Sequence, residues 1–254
     1  MNERQKQILW KTFDSSRWAY LRTERQRARK ALQETVNPII ELMESQGLER
    51  AYNNFEVDKR PLLTMYERLY TNVGGAFGEK TYKELTGMKM KQDEDEWIRA
   101  VRNYLGIAVA ERLDAVTATS RDYITRIMQK GISEGWSIQE TAKQIKDKVG
   151  GVNRATRISR TEIISASNLG SLSVARATGL PLKKAWLSTR GNRTRGNDPN
   201  DVFNHVSPDG QEVELGEPFI VSNEELDFPG DWSRGASVGN IVNCRCTLIY
   251  RVDR

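Results

Sequence analysis

Cys244, Cys246 and His205 are the side chains of this 254-residue sequence best suited to holding a metal; they are its two cysteines and its single histidine. Residues two apart on a strand point to one face, so a Cys-x-Cys pair presents two sulfurs side by side. With one imidazole and one carboxylate from Asp198, Asp201 or Asp231, two thiolates complete a tetrahedral zinc set, and Cys244, Cys246, His205 and Asp231 are the candidate ligands. The competing reading is plain packing, with small soft cysteines beneath a long loop and His205 in an ordinary hydrogen bond. A single intervening residue does not suit an unstrained disulfide, so both cysteines are expected as reduced thiols, which fits a cytoplasm-like compartment. One histidine excludes, within one chain, any site that needs two.

Other residue patterns speak against catalysis. A transferase of the ADP-ribosylating type wants a spaced Glu-x-Glu near a strand end, whereas Glu224-Glu225 is adjacent and Glu94-Asp95-Glu96 stands at a helix start. Gly74, Gly75 and Gly78 precede Lys80-Thr81, but Glu79 occupies the position where a phosphate loop needs glycine and no strand leads in, so this stretch reads as a flexible helix connection. No acid–base constellation emerges, so no enzyme and no cofactor are expected, with the zinc set above as the alternative to packing.

Charge is unevenly distributed. Residues 1–30 hold nine Lys/Arg against three Asp/Glu, and residues 153–195 nine against one, so with a net charge of +5 the remainder is acidic. Arg22, Arg25, Arg29, Arg154, Arg157, Arg193 and Arg195 are the candidate contacts, and such stretches suit a DNA backbone or an acidic protein surface equally. Trp10, Phe13, Trp18, Tyr20 and Leu21 interleave with the first basic stretch, which we read as helix packing in preference to base stacking. Glu162, beside Arg154, Arg157 and Arg160, is expected to pin a loop through an ion pair with one of these or with Arg193 or Arg195.

The elements that must position these residues divide in two. Over 1–150 the signals are helical: Ala28, Leu32, Val36, Ile39 and Met43 form one apolar stripe, interrupted where Asn37-Pro38 starts a new helix. The cluster Gln92 to Glu96 opens another ahead of Trp97, Val101, Tyr104 and Leu105. Ser137-Ile138-Gln139-Glu140 is a capping box for a helix ended by Gly150-Gly151. Asn153 caps the next, which carries Ile158, Ile163, Ala166, Leu169, Leu172 and Ala175 up to Gly179 and Pro181. Beyond lie short β-type runs at 185–189, 211–215, 219–221 and 247–252 between turn residues, among them Ser207-Pro208-Asp209-Gly210. The fold class expected is α+β, a mainly helical region over 1–150 followed over 151–254 by a small α+β domain with a short antiparallel sheet. No run of about 18 apolar residues exists to span a membrane, and the charged N-terminus carries no secretory signal.

Within the second region one ordered set of pieces stands out: Arg160-Thr161-Glu162, Trp186, Arg193-Thr194-Arg195, His205, Asp209-Gly210-Gln211, Phe228-Pro229-Gly230-Asp231 and Asn243-Cys244-Arg245-Cys246. Together they resemble the phage Mu protein F-like minor head family, which includes head-morphogenesis proteins of siphophages of Gram-positive bacteria. The structural motif residues are Arg160, Thr161, Glu162, Trp186, Arg193, Arg195, Gly210, Pro229 and Gly230. The chain departs from the family's pattern at Gly191, where Asp is common, and in a longer separation from Arg195 to His205. The resemblance implies a non-catalytic component of the virion, added to the procapsid in few copies, inside the head near the portal vertex. Its implied partners are the portal protein, scaffolding or major capsid protein, and packaged double-stranded DNA, with roles in head assembly and in DNA packaging or ejection. Two other readings stand beside it, a double-stranded DNA-binding protein and a toxin-like hydrolase or transferase using His205.

Overall fold

The computed structural model describes residues 1–90, 94–189, 191–192 and 194–252, without the side chains of 94–98, 100, 101, 108, 109 and 252. Arg193 and the side chains of Trp97 and Val101 thus lie outside the described residues. The helices are α1 (Glu3–Glu34), α2 (Asn37–Gln46), α3 (Leu48–Asn54), α4 (Arg60–Leu69), a π-helical turn (Tyr70–Gly74), α5 (Gly75–Thr86), α6 (Glu94–Glu134), α7 (Ile138–Val149) and α8 (Val152–Ala177). Then come β1 (Leu182–Leu187), β2 (Glu212–Glu214), β3 (Phe219–Val221), β4 (Glu224–Leu226), a one-turn α9 (Val238–Ile241) and β5 (Thr247–Val252). The chain is α+β, with its helices first and a small antiparallel sheet after them. It folds into two compact units of interleaved segments: one holds Met1–Arg22, Arg68–Tyr104 and Arg160–Arg254, the other Thr23–Glu67 and Leu105–Ser159.

The second unit is helical. Its core contains the stripe Ala28, Leu32, Val36, Ile39 and Met43, all at most 1% exposed. The break expected at 37–38 is present, with Pro38 in the first turn of α2, but the capping position is Val36 and no side chain caps it. Pro needs no amide partner there. Ser137 caps α7 by accepting from the Glu140 amide at 3.1 Å. Asn153, expected as a cap, lies instead inside α8, which begins at Val152.

The first unit is built around α8. Residues 161–172 are all buried, so this stretch is surrounded on every side. Gly74, Gly75 and Gly78 do not form a flexible connection; helix continues through them from α4 to α5. Smallness at Gly78 and at Gly170 of α8 serves packing: a Cβ on Gly170 would fall on the Gly74 carbonyl, and one on Gly78 would come within 2.9 Å of Val174 Cγ2. The sheet has the order β2-β1-β5, antiparallel throughout, with Lys184 paired to Tyr250 and Trp186 to Leu248. A separate hairpin joins β3 to β4 through Ser222 and Asn223, whose φ values of 52° and 64° give the left-handed turn that two-residue hairpins favour.

Candidate functional site

After α9 the chain reverses at Asn243 (φ 61°), whose amide donates to Thr161 Oγ1 of α8 at 3.1 Å. This turn delivers Cys244 and Cys246 to the entrance of β5, both thiols free and buried. The 204–207 loop brings His205 against them. It is held by the His205 amide donating to Arg195 O at 2.8 Å, by Ser188 Oγ donating to His205 O, and by Asn204 Oδ1 accepting from the amides of Val206 and Ser207. His205 Nδ1 lies 3.4 Å from Cys244 Sγ and 3.8 Å from Cys246 Sγ, and the three ligand atoms are all within 4.8 Å of one another.

The tautomer of His205 follows from its second neighbour. Asn240 Nδ2 donates to Val221 O and to the Glu224 carboxylate, each at 2.9 Å, which turns Asn240 Oδ1 toward His205 Nε2 at 2.7 Å. An amide oxygen only accepts, so Nε2 carries the proton and Nδ1 presents its lone pair to the two sulfurs. The thiols are unlike: hydrogen bonding from Cys246 holds Cys244 below the ordinary thiol range, while burial pushes Cys246 well above it.

Asp231, expected as the fourth ligand, is not in this group. Its carboxylate accepts from the Asp227 amide at 2.9 Å, the Ser233 amide at 2.8 Å and Ser233 Oγ at 2.7 Å, closing its own loop. A carboxylate after Pro-Gly meets nearby backbone amides before any distant ligand. Asp198 and Asp201 are likewise spent within their loop, Asp201 accepting from the Gly196 amide at 2.7 Å and Asp198 from the Asn200 amide at 2.9 Å.

The motif residues act as packing and hydrogen-bonding parts. Trp186 is fully buried, edge-on to Phe219 and to His205 with ring centroids at 5.4 and 6.0 Å, and its carbonyl accepts from the Gly210 amide at 2.8 Å. Gly210 needs its φ of 82° to make that turn. Pro229 O accepts from Asn168 Nδ2 at 2.8 Å, and Gly230 passes so close to α8 that its Cβ would lie 3.3 Å from Ser165 Cα. Glu162, 3% exposed, accepts from Tyr70 OH at 2.9 Å. Arg195 donates to Val242 O, and Arg160 stacks over Trp18 at 5.0 Å.

Arg154 is not a surface contact residue. It is 8% exposed within the helical unit, where its guanidinium donates to Val149 O at 3.0 Å and to Val116 O and Ser120 Oγ at 2.8 Å. Those oxygens satisfy a charge that burial would otherwise penalise. Arg22, Arg29 and Arg157 are exposed and Arg25 is half-buried. In the first unit Arg160, Thr194, Arg195, Asn243 and Arg245 line a cleft that reaches His205, Cys244 and Cys246.

One centre escaped the sequence reading. Arg17, 4% exposed, donates to Ser167 Oγ at 2.7 Å, Asn168 Oδ1 at 2.8 Å and Thr247 Oγ1 at 2.9 Å. Asn168 Oδ1 also accepts from the Leu248 amide at 3.2 Å, so α1, α8 and β5 meet at one amide. The available signal was spacing: Trp10, Phe13, Arg17 and Leu21 step by 3, 4 and 4, which places a cation on the buried face.

A protein-family model described as phage Mu protein F like protein matches residues 122–249. No curated protein and no solved structure matches the chain.

Proposed function

Because the chain belongs to the phage Mu protein F-like family, whose members are phage head-morphogenesis proteins, we propose that it is a minor head protein acting at the portal vertex during procapsid assembly. The family match over 122–249 carries this reading. The structure supports it by what the motif residues do: Trp186, Gly210, Pro229, Gly230 and Glu162 hold one compact unit together. Partners are then other head proteins, the portal foremost, with scaffolding or major capsid protein and packaged DNA beside it. Exposed Arg22, Arg29 and Arg157 suit acidic faces on such proteins. We read the chain as non-catalytic, since Asp231 and Glu162, the buried carboxylates among the motif residues, are engaged in hydrogen bonds to neighbouring elements and loop amides. The virion is its place, and no helix among the described residues is long and apolar enough to cross a membrane.

A second reading, direct binding to double-stranded DNA, rests on the same exposed arginines. Co-purification with the cognate portal protein, at low and high salt and with or without double-stranded DNA, separates the two. The assembly role expects a portal complex that forms without DNA and survives high salt. Absence of portal binding, together with DNA binding that weakens steeply with salt as phosphate contacts are lost, would replace it by the second reading.

A further inference from the structure

We propose that Cys244 Sγ, Cys246 Sγ and His205 Nδ1 hold one zinc ion, with water completing the tetrahedron from the side of the arginine-lined cleft. This is independent of the assembly role.

The spacing of the three ligand atoms suits a tetrahedral ion. Ligands at about 2.3 Å (thiolate) and about 2.05 Å (imidazole) subtending a tetrahedral angle stand about 3.6 Å apart. The two sulfur–nitrogen distances are 3.4 and 3.8 Å, one on either side of that value. The imidazole is already in the form a metal requires, because Asn240 Oδ1 accepts a hydrogen bond from Nε2–H and leaves the Nδ1 lone pair facing the sulfurs. Metal-bound histidines are oriented by such a partner on their other nitrogen. Asn240 is itself fully buried and held by Val221 O and Glu224, so the orienting group is rigid.

Two thiolates and a neutral imidazole favour zinc over the hard cations magnesium and calcium, which take oxygen ligands. Binding displaces two thiol protons, and the resulting thiolates balance the two positive charges of the ion. The other faces of the group are closed: Cys244 and Cys246 are 2% and 0% exposed and His205 is 2% exposed. The cleft bordered by Arg160, Arg195 and Arg245 offers the remaining direction. Bound there, zinc would join the 204–207 loop to the entrance of β5, whose registry with β1 begins one residue later at Thr247.

The test uses the full chain, reduced, purified without chelator and reconstituted with zinc. Metal analysis is expected to give one zinc per chain, and cobalt(II) in its place should show thiolate-to-cobalt charge-transfer absorption. Both signals should be lost in Cys244→Ser/Cys246→Ser. Asn240→Ala keeps all three ligands but frees the imidazole, and should weaken zinc by roughly 10- to 100-fold in competition with a chromophoric chelator. Folded wild-type protein that takes up neither metal stoichiometrically overturns the proposal. Zinc retained undiminished by Cys244→Ser/Cys246→Ser overturns it as well, since the ion would then sit elsewhere.

Discussion

Lys184 is an uncomfortable residue. It lies on the face of β1 that also carries Trp186, wholly buried, with its ammonium donating to Asp227 O at 2.8 Å and standing 5.1 Å from the Phe219 ring. Burial lowers its pKa from 10.5 to about 8, with Asp227 the largest opposing influence. The folded chain therefore releases this proton near pH 8 and the unfolded chain near 10.5, so between those values the unfolded state binds more protons and stability from this group rises with pH. Below pH 8 the cost of keeping the charge is fully present, about 3 kcal/mol by linkage. Lys184→Met removes it. In urea unfolding, the stability of Lys184→Met relative to wild type should fall by about 3 kcal/mol between about pH 7 and about pH 10.5; a pH-independent difference contradicts the assignment. Neither Lys184 nor Arg17 could be singled out from composition, because each looks like one more cation in a basic stretch. That Cys244, Cys246 and His205 lie together is foreshadowed by their being the chain's only thiols and imidazole, although the two cysteines stand in the turn before β5 and not on a strand; Asp231 stays apart because its loop amides, invisible in a residue pattern, claim the carboxylate first.

Helix α8 shows how an element is chosen by its neighbours. An apolar stripe marked one face of it, yet twelve successive residues, 161–172, are buried, and Ser165, Ser167, Asn168 and Ser171 are inside as fully as Ile163. Small polar residues suit such a helix because they hydrogen-bond locally or to crossing elements: Ser167 donates to Ile164 O at 2.9 Å, and Ser171 pairs with Thr81 at 2.8 Å. Gly74, Gly75 and Gly78 suggest a flexible connection, since glycine lowers helix propensity. Close approach to Gly170 overrides that cost. Gly170→Ala should therefore destabilise by about 3 kcal/mol, the upper part of the overpacking range, since the Cβ meets a backbone carbonyl that cannot swing aside. Gly106→Ala, where a Cβ on α6 meets nothing within 4 Å, should stabilise by about 0.5–1 kcal/mol. Urea midpoints moving the same way in both variants would refute the crossing geometry. Strands β3 and β5 were placed from sequence to the residue, while β4, three residues with two glutamates, carries no alternation long enough to notice.

The two compact units cut across any linear division of the sequence. Helices and sheet were separable near residue 150 by pattern, yet residues 1–22 and 68–104 belong to the unit that also holds the sheet. Arg17 meets Asn168 and Thr247, Trp10 Nε1 donates to Arg245 O at 3.0 Å, and Tyr104 stacks on Tyr70 and touches Phe228. Such long-range pairings leave no trace in local periodicity. A fragment comprising 151–254 should accordingly lack a cooperative transition and near-ultraviolet dichroism, because the oxygens of Asn168, Ser167 and Thr247 lose their guanidinium partner. Cooperative unfolding of that fragment would show the N-terminal segment to be dispensable.

The interleaving also sets a timetable for synthesis. Residues 160–254 must leave the ribosome before Trp10, Phe13 and Leu21 find their permanent cover, an interval of about 5–20 s at ordinary elongation rates. The unit ending at Ser159 has all its segments by then and can form first, so residues 1–22, made before it, are buried after it. Over that interval residues 1–22 offer the face carrying Trp10, Phe13 and Leu21, interleaved with arginines, to any chaperone in reach.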